Sequence, residues 1–359
     1  MTTKSVSNVL RSALTALVFV LGTMHAHSME VKSDAPERYT VKKGDTLWDI
    51  SGMYLSEPWR WPELWANNTQ IQNPHLIYPG DVLVLRYVDG QPVLTVEGSK
   101  KRMVLTPNEK RIDKAQAIDV LPWEVLEPYV ENSWIVSQDS YDIMPKVLGN
   151  QDGAVRFADD DVLLTRRFGR AEDQYHIVRH MGTISDLQGN ELGYQLNHIA
   201  SADMLEDDLG NEWLIKVKNN KQEILRGDRL WSAPDFKGED LELAAVSEGV
   251  RGNVVGSLHP YAMFGKYDVV IVDLGDGQVV PGSVMGIYAQ GPNIIDDGEP
   301  KYADESDAIT SAFNDGTTVT QPALKLGELV VFSVFDNASY GIITRAEKSI
   351  KTGFIVGKP

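Results

Sequence analysis

The stretch from Arg38 to Leu85 constrains the local fold of this 359-residue chain more than any other. Tyr39 and Val41 alternate with Thr40 and Lys42, the period-two pattern of a half-buried strand. Gly44 permits a turn, and Thr46-Leu47-Trp48-Asp49 fits a capping box in which Thr46 caps a helix and Asp49 reaches back to the first free amide. Leu47, Ile50 and Tyr54 then fall on one helical face. Pro62 suits the start of a second helix, running to Asn67 or Asn68. Pro79-Gly80 signals a turn, and Val82 to Leu85 a buried strand. The order predicts a small α+β unit, β-α-α-β. Its terminal strands pair most simply antiparallel, with both helices on one face. That brings the Gly44–Leu47 turn and the Asn73–Ile77 loop to the same end.

Val41-Lys42-Lys43-Gly44-Asp45-Thr46-Leu47, with Asn73-Pro74-His75-Leu76-Ile77 and Pro79-Gly80-Asp81, resembles the LysM module over residues 38–87. The resemblance implies binding of polymers that contain N-acetylglucosamine, such as peptidoglycan, in a shallow groove between the two loops. The candidate glycan-binding residues are therefore Gly44, Asp45, Thr46, Leu47, Asn73, Pro74, His75, Leu76 and Ile77. An acetamido group needs one donor and one acceptor, which exposed turn backbone supplies. Its methyl and the sugar face need an apolar wall, for which Leu47, Leu76 and Ile77 are candidates. The plainer reading is that these residues only shape turns, with Leu47 and Ile77 in the core. One departure from the family is the longer link Met53–Glu63, which adds Trp59 and Trp61. These two are candidate aromatic contacts for sugar or protein; alternatively the insertion packs down and enlarges a very small core.

Residues 1–28 have the form of a secretory signal: Lys4 and Arg11, an apolar run from Ala13 to Leu21, and a small-x-small site at Ala26-His27-Ser28. An uncleaved anchor is the alternative. The formal charge is −17 and unevenly spread. Between Arg38 and Arg86 five basic residues balance five acidic ones, and residues 87–359 carry the whole −17. Such a surface repels phosphate backbones and argues against a nucleic-acid partner. The neutral module points to recognition by backbone and apolar groups instead of by charge.

Residues 88–132 read as a connector, with one short helix around Pro122–Pro128. Beyond Ser133 the chain is strand-rich and punctuated by Gly-Asp, Asp-Gly and Pro-Gly turns, the grammar of antiparallel sandwiches or barrels. Leu214–Val217 and Ile224–Leu230 resemble Tyr340–Ile343 and Ile350–Val356 at a constant offset of 126, and Leu192 is a weaker match to Leu326. The fold class expected is thus multidomain: the β-α-α-β module, then a mainly-β region, 133–359, of two related units at about 135–232 and 250–359. Residues 291–318 form an acidic, mobile loop in this reading. Its carboxylates lack calcium-loop spacing.

Catalysis is not expected. Cysteine is absent, which removes thiolate nucleophiles and Cys-ligated metals. The histidines are His25, His27, His75, His176, His180, His198 and His259; none stands in a metal-ligand motif. His176 and His180 lie four apart on a predicted strand, about 13 Å from each other, too far to share a metal. No Gly-x-Ser-x-Gly or Ser-x-x-Lys motif occurs. No cofactor and no metal is expected. A carboxylate-only glycan hydrolase is the alternative from another class.

The arrangement as a whole, with the Glu57-Pro58-Trp59-Arg60-Trp61-Pro62-Glu63 insertion, Ile224-Leu225-Arg226-Gly227-Asp228-Arg229-Leu230 and Leu326-Gly327-Glu328-Leu329, resembles the type IV pilus secretin-associated protein (TsaP) family. In that family the C-terminal part is similar to the C-terminal domain of a flagellar assembly protein. The resemblance implies a periplasmic protein of Gram-negative cells that grips peptidoglycan and holds an outer-membrane secretin ring, with several copies arrayed around that ring. A wall-binding adaptor of a flagellar or secretion apparatus is the runner-up.

Overall fold

A computed structural model of the protein describes residues 29–65, 77–88, 90–97, 121, 123–167, 169–232, 241–258, 261–296, 300–303 and 317–359. The chain divides into two compact units, Met1–Leu121 and Pro122–Pro359. The expected signal segment lies outside the described residues.

In the first unit β1 (Arg38–Thr40) leads into α1 (Leu47–Tyr54). A single 3-10 turn (Pro58–Arg60) follows, then α2 (Trp61–Trp65) and β2 (Val82–Val88). β1 and β2 pair antiparallel, Tyr39 opposite Leu83. This is the β-α-α-β order read from the sequence. A third strand, β3 (Gln91–Glu97), lies within the expected connector and pairs with β2 along its whole length, Val88 opposite Gln91 and Val82 opposite Glu97. Val93 and Leu94 of β3 are buried. Asp89-Gly90 between β2 and β3 is a strong two-residue hairpin signal. Pro92 fits there because β3 is an edge strand, the place in a sheet that tolerates proline.

The second unit opens with α3 (Trp123–Asn132), longer than the short helix expected and continuous through Pro128. β4 (Ser133–Val136) and α4 (Gln138–Ile143) follow. Next come β5 (Val147–Gly149), β6 (Arg156–Phe157), β7 (Val162–Arg166) and β8 (Gln174–Ser185). β9 (Glu191–Leu209), β10 (Glu212–Lys218), β11 (Ile224–Leu225) and β12 (Arg229–Trp231) complete this half. Strands β5, β7, β10, β9, β8 and β12 pair in that order. The ring closes where Val147 N–H donates to the Asp228 carbonyl and Leu230 N–H to the Pro145 carbonyl, both at 2.8 Å. Alternate residues of each strand fill the barrel: Tyr175 and Ile177, Trp213, Ile215 and Val217, then Leu163 and Leu230.

A second barrel follows. Its elements are β13 (Ala244–Ala245), β14 (Arg251–Ser257), β15 (Val269–Val272) and β16 (Ser283–Gln290). Then come β17 (Ile294–Asp296), β18 (Lys301–Tyr302) and β19 (Thr317–Val319). The last are β20 (Ala323–Val334), β21 (Ser339–Ala346) and β22 (Ile355–Gly357). The ring runs β14, β15, β21, β20, β16, β22 and closes because β22 pairs with both β14 and β16. Strands β17, β18 and β19 form a small sheet of their own inside the segment expected to be a loop; of its acidic residues only Asp296 is among the described ones.

The two barrels are built alike. A shift of 126 residues takes Lys216 to Ile342, and one of 107 takes Val162 to Val269; Lys216 pairs with Val162, and Ile342 with Val269. The same shifts carry the Ile224–Phe157 pair onto Ile350–Phe264, and β12 onto β22. The weaker match of Leu192 with Leu326 does not hold. Register sets Ala202 against Val217 where Leu329 stands against Ile343, so Leu192 lies ten residues before the one and Leu326 three before the other.

One turn recurs through both units. The carbonyl of its first residue accepts the N–H of the fourth, and the fourth side chain accepts the N–H of the first. Asp45 closes on Lys42, Asp81 on Tyr78, Asp161 on Ala158, Asp228 on Leu225 and Asp268 on Gly265, with N···Oδ2 distances of 2.7–3.0 Å. The third residue takes a positive φ, as in Gly44 at 93° and Gly227 at 92°. Asp160 and Tyr267 adopt it without being glycine. Each of these carboxylates stands just before an element begins, so it ends a loop and starts a strand or helix with one side chain.

Candidate functional site

The first candidate loop is well defined. Val41 N–H donates to the Asp81 carbonyl at 2.9 Å and Gly80 N–H to the Val41 carbonyl at 2.8 Å, so the Tyr78–Asp81 turn is laced to the strand that enters the Lys42–Asp45 turn. Lys42, Lys43 and Gly44 are exposed, Asp45 is half-buried, and Thr46 and Leu47 are buried. Asp45 Oδ2 accepts both the Lys42 N–H and the Tyr39 hydroxyl, at 2.7 and 2.8 Å. Burial, then this bond and the Asp45 charge, push the Tyr39 hydroxyl up to about 12, so it remains a donor at neutral pH. Thr46 Oγ1 accepts Asp49 N–H at 3.1 Å and donates to Asp49 Oδ2, which fastens the start of α1.

The exposed backbone of Lys43 and Gly44 is therefore held in place by two turns and a helix cap. It presents amide and carbonyl groups of the kind an acetamido group can use. Of the expected apolar wall, Leu47 and Ile77 are both 0% exposed and belong to the core. Asn73, Pro74, His75 and Leu76 lie outside the described residues.

Trp59 and Trp61 require the same correction. Each is 7% exposed, and Trp48 and Trp65 are buried as well. Trp48 and Trp59 meet with ring centroids 6.5 Å apart. The insertion thus enlarges the core of the module and presents no aromatic platform. The physical reason is size: a three-stranded sheet and two short helices leave little else to exclude water. Arg60 between them carries ion pairs to Glu57 and Glu63, which hold its guanidinium firmly protonated despite partial burial.

In the second unit His176 and His180 do not meet. His176 packs on His198 and Trp134, whereas His180 packs on Tyr141 and Tyr194. Among the described residues no three His, Asp or Glu side chains gather to hold a metal.

Comparison with known proteins agrees with the first unit. The LysM domain family model matches residues 39–86, which span α1, α2 and most of β1 and β2. The uncharacterized protein YqbP of Bacillus subtilis (strain 168) is 41% identical over 59 residues, covering 14% of this chain and 27% of that protein. The chain thus spans about a quarter of that relative's length. LysM domains bind the N-acetylglucosamine glycans of peptidoglycan, and the match places such a domain ahead of a mostly β region.

Proposed function

We propose that the chain is a non-catalytic envelope protein whose module grips peptidoglycan while its double-barrel unit engages an outer-membrane secretin ring of a type IV pilus. The observation that carries the first half is the LysM match lying on a β-α-α-β fold with an exposed, braced Lys43-Gly44 turn. The second half rests on the resemblance of the whole arrangement to pilus secretin-associated proteins. In this reading the mature protein works in the periplasm after its leader is removed. Several copies stand around the ring, where shared linkage would raise avidity by about 10²–10⁴ over one weak module.

Two measurements test it. Purified protein should co-sediment with peptidoglycan sacculi and leave them undigested in a zymogram. A clearing zone would instead favour a hydrolase. Pull-down from envelope extracts should recover a secretin. Recovery of flagellar basal-body or other secretion components in its place would favour the adaptor reading.

A further inference from the structure

The module's neutral sum conceals an uneven distribution of charge. Of its five basic residues, Arg38 is paired to Glu97 of β3, and Arg60 to Glu57 and Glu63. Lys32, just ahead of the module, donates to the Gly52 carbonyl. Lys42, Lys43 and Arg86 have no ion pair among the described residues. The carboxylates nearest in sequence are taken by neutral donors: Asp45 by Lys42 N–H and Tyr39, Asp49 by Thr46, Asp81 by Tyr78 N–H. Residues 66–76, the segment that includes the second candidate loop, contain no acidic residue. Arg86 is four positions along β2 from Val82, about 13 Å from the turn.

Two lysines without an ion pair among the described residues thus directly precede the exposed Gly44. Lys42 Nζ lies 5.8 Å from the centroid of the Tyr39 ring, whose hydroxyl donates to Asp45 of the same turn. We propose that Lys42 and Lys43 make this site selective for an anionic glycan. Its ligand would be an N-acetylglucosamine polymer that carries carboxylates alongside the sugar, as peptidoglycan does on its stem peptides, in preference to a neutral chitin-like chain. The backbone of the turn takes the acetamido group, and the two ammonium groups take the neighbouring carboxylates. The inference rests on the glycan-binding reading above.

The test uses the full chain without residues 1–28 and its Lys42→Gln/Lys43→Gln variant. Each is titrated with chitohexaose and with solubilised peptidoglycan fragments, at about 50 and about 300 mM salt. Neither lysine side chain is ion-paired and Lys42 loses only an exposed ring contact, so the variant should remain folded with at most a small drop in unfolding temperature. Exposed pairs of this kind predict a loss of about 3–10-fold on the peptidoglycan fragments at low salt, shrinking at high salt, with chitohexaose affinity unchanged. A Lys42→Glu/Lys43→Glu variant should lose more on the fragments only. Equal losses on both ligands, or none on the fragments, would overturn the proposal while leaving glycan binding intact. Wild-type protein that bound neither ligand would overturn the glycan reading itself.

Discussion

His198 is 8% exposed and sits between His176 of β8 and Trp134 of β4, with ring centroids 5.0 and 6.3 Å away. Ser201 Oγ lies 3.3 Å from its Nε2, and Lys221 adds a positive charge nearby. Burial, then His176, then Lys221 depress its pKa to about 4 from 6.5, with a hydrogen bond to the Ala200 backbone opposing them. Between those values the unfolded chain binds a proton that the folded one refuses. Stability is therefore full above about pH 6.5 and falls as pH descends toward 4, by about 1–3 kcal/mol once solvent screening is allowed for. Thermal unfolding at pH 7.5 and 4.5 should show this slope, and His198→Asn should flatten it. Asp228, 5% exposed, is a second sensitive position. Both its oxygens accept from Arg179 at 2.8 Å, and Oδ2 also accepts the Leu225 N–H. Asp228→Ala should cost about 2–4 kcal/mol, below the fully buried limit because Arg179 is partly solvated. Denaturant titration would show the loss, and Asp228→Asn should recover part of it. Neither environment is fully legible in sequence, since His198 lies 22 residues from His176 and Asp228 49 from Arg179.

The elements themselves were largely legible. Thr46 and Asp49 marked the start of α1, and strand alternation marked β1 and β2, because those signals act over two to four residues. The role of the tryptophan insertion was not, since the same residues suit an exposed platform or a core. The structure answers with burial, and mutation should answer likewise. Trp59→Ala should destabilise the module by about 3–5 kcal/mol, comparable to the whole stability of so small a unit. Binding to sacculi should then fall together with the module's unfolding transition. Trp59→Phe should retain both. The Gly44 turn offers a milder contrast. An added Cβ meets nothing within 4 Å, but φ is 93°, so Gly44→Ala should cost about 1–2 kcal/mol through strain alone. Gly44→Asn should cost less, because Asn tolerates that conformation.

Across residues 122–359, the two barrels share side chains. Phe335, in the turn between β20 and β21, packs on the cluster of Trp134, Val136, Val178 and Leu196, and Asn337 Nδ2 donates to the Leu192 carbonyl at 3.3 Å. Calorimetry of this unit should therefore show one transition, and Phe335→Ala should split or broaden it. Read from the chain alone, the order of turns, caps and strands follows, and so do the module's zero net charge and the −17 beyond it. Those depend on neighbours in sequence or on simple sums. The closing of six strands into each ring, the burial of four tryptophans, the strand β3 and the pairing of Arg38 with Glu97 belong to the tertiary structure. Pairing and burial are set by contacts between residues far apart along the chain. That is why a neutral module can still leave Lys42 and Lys43 without an ion pair, among the described residues, beside the exposed Gly44 turn.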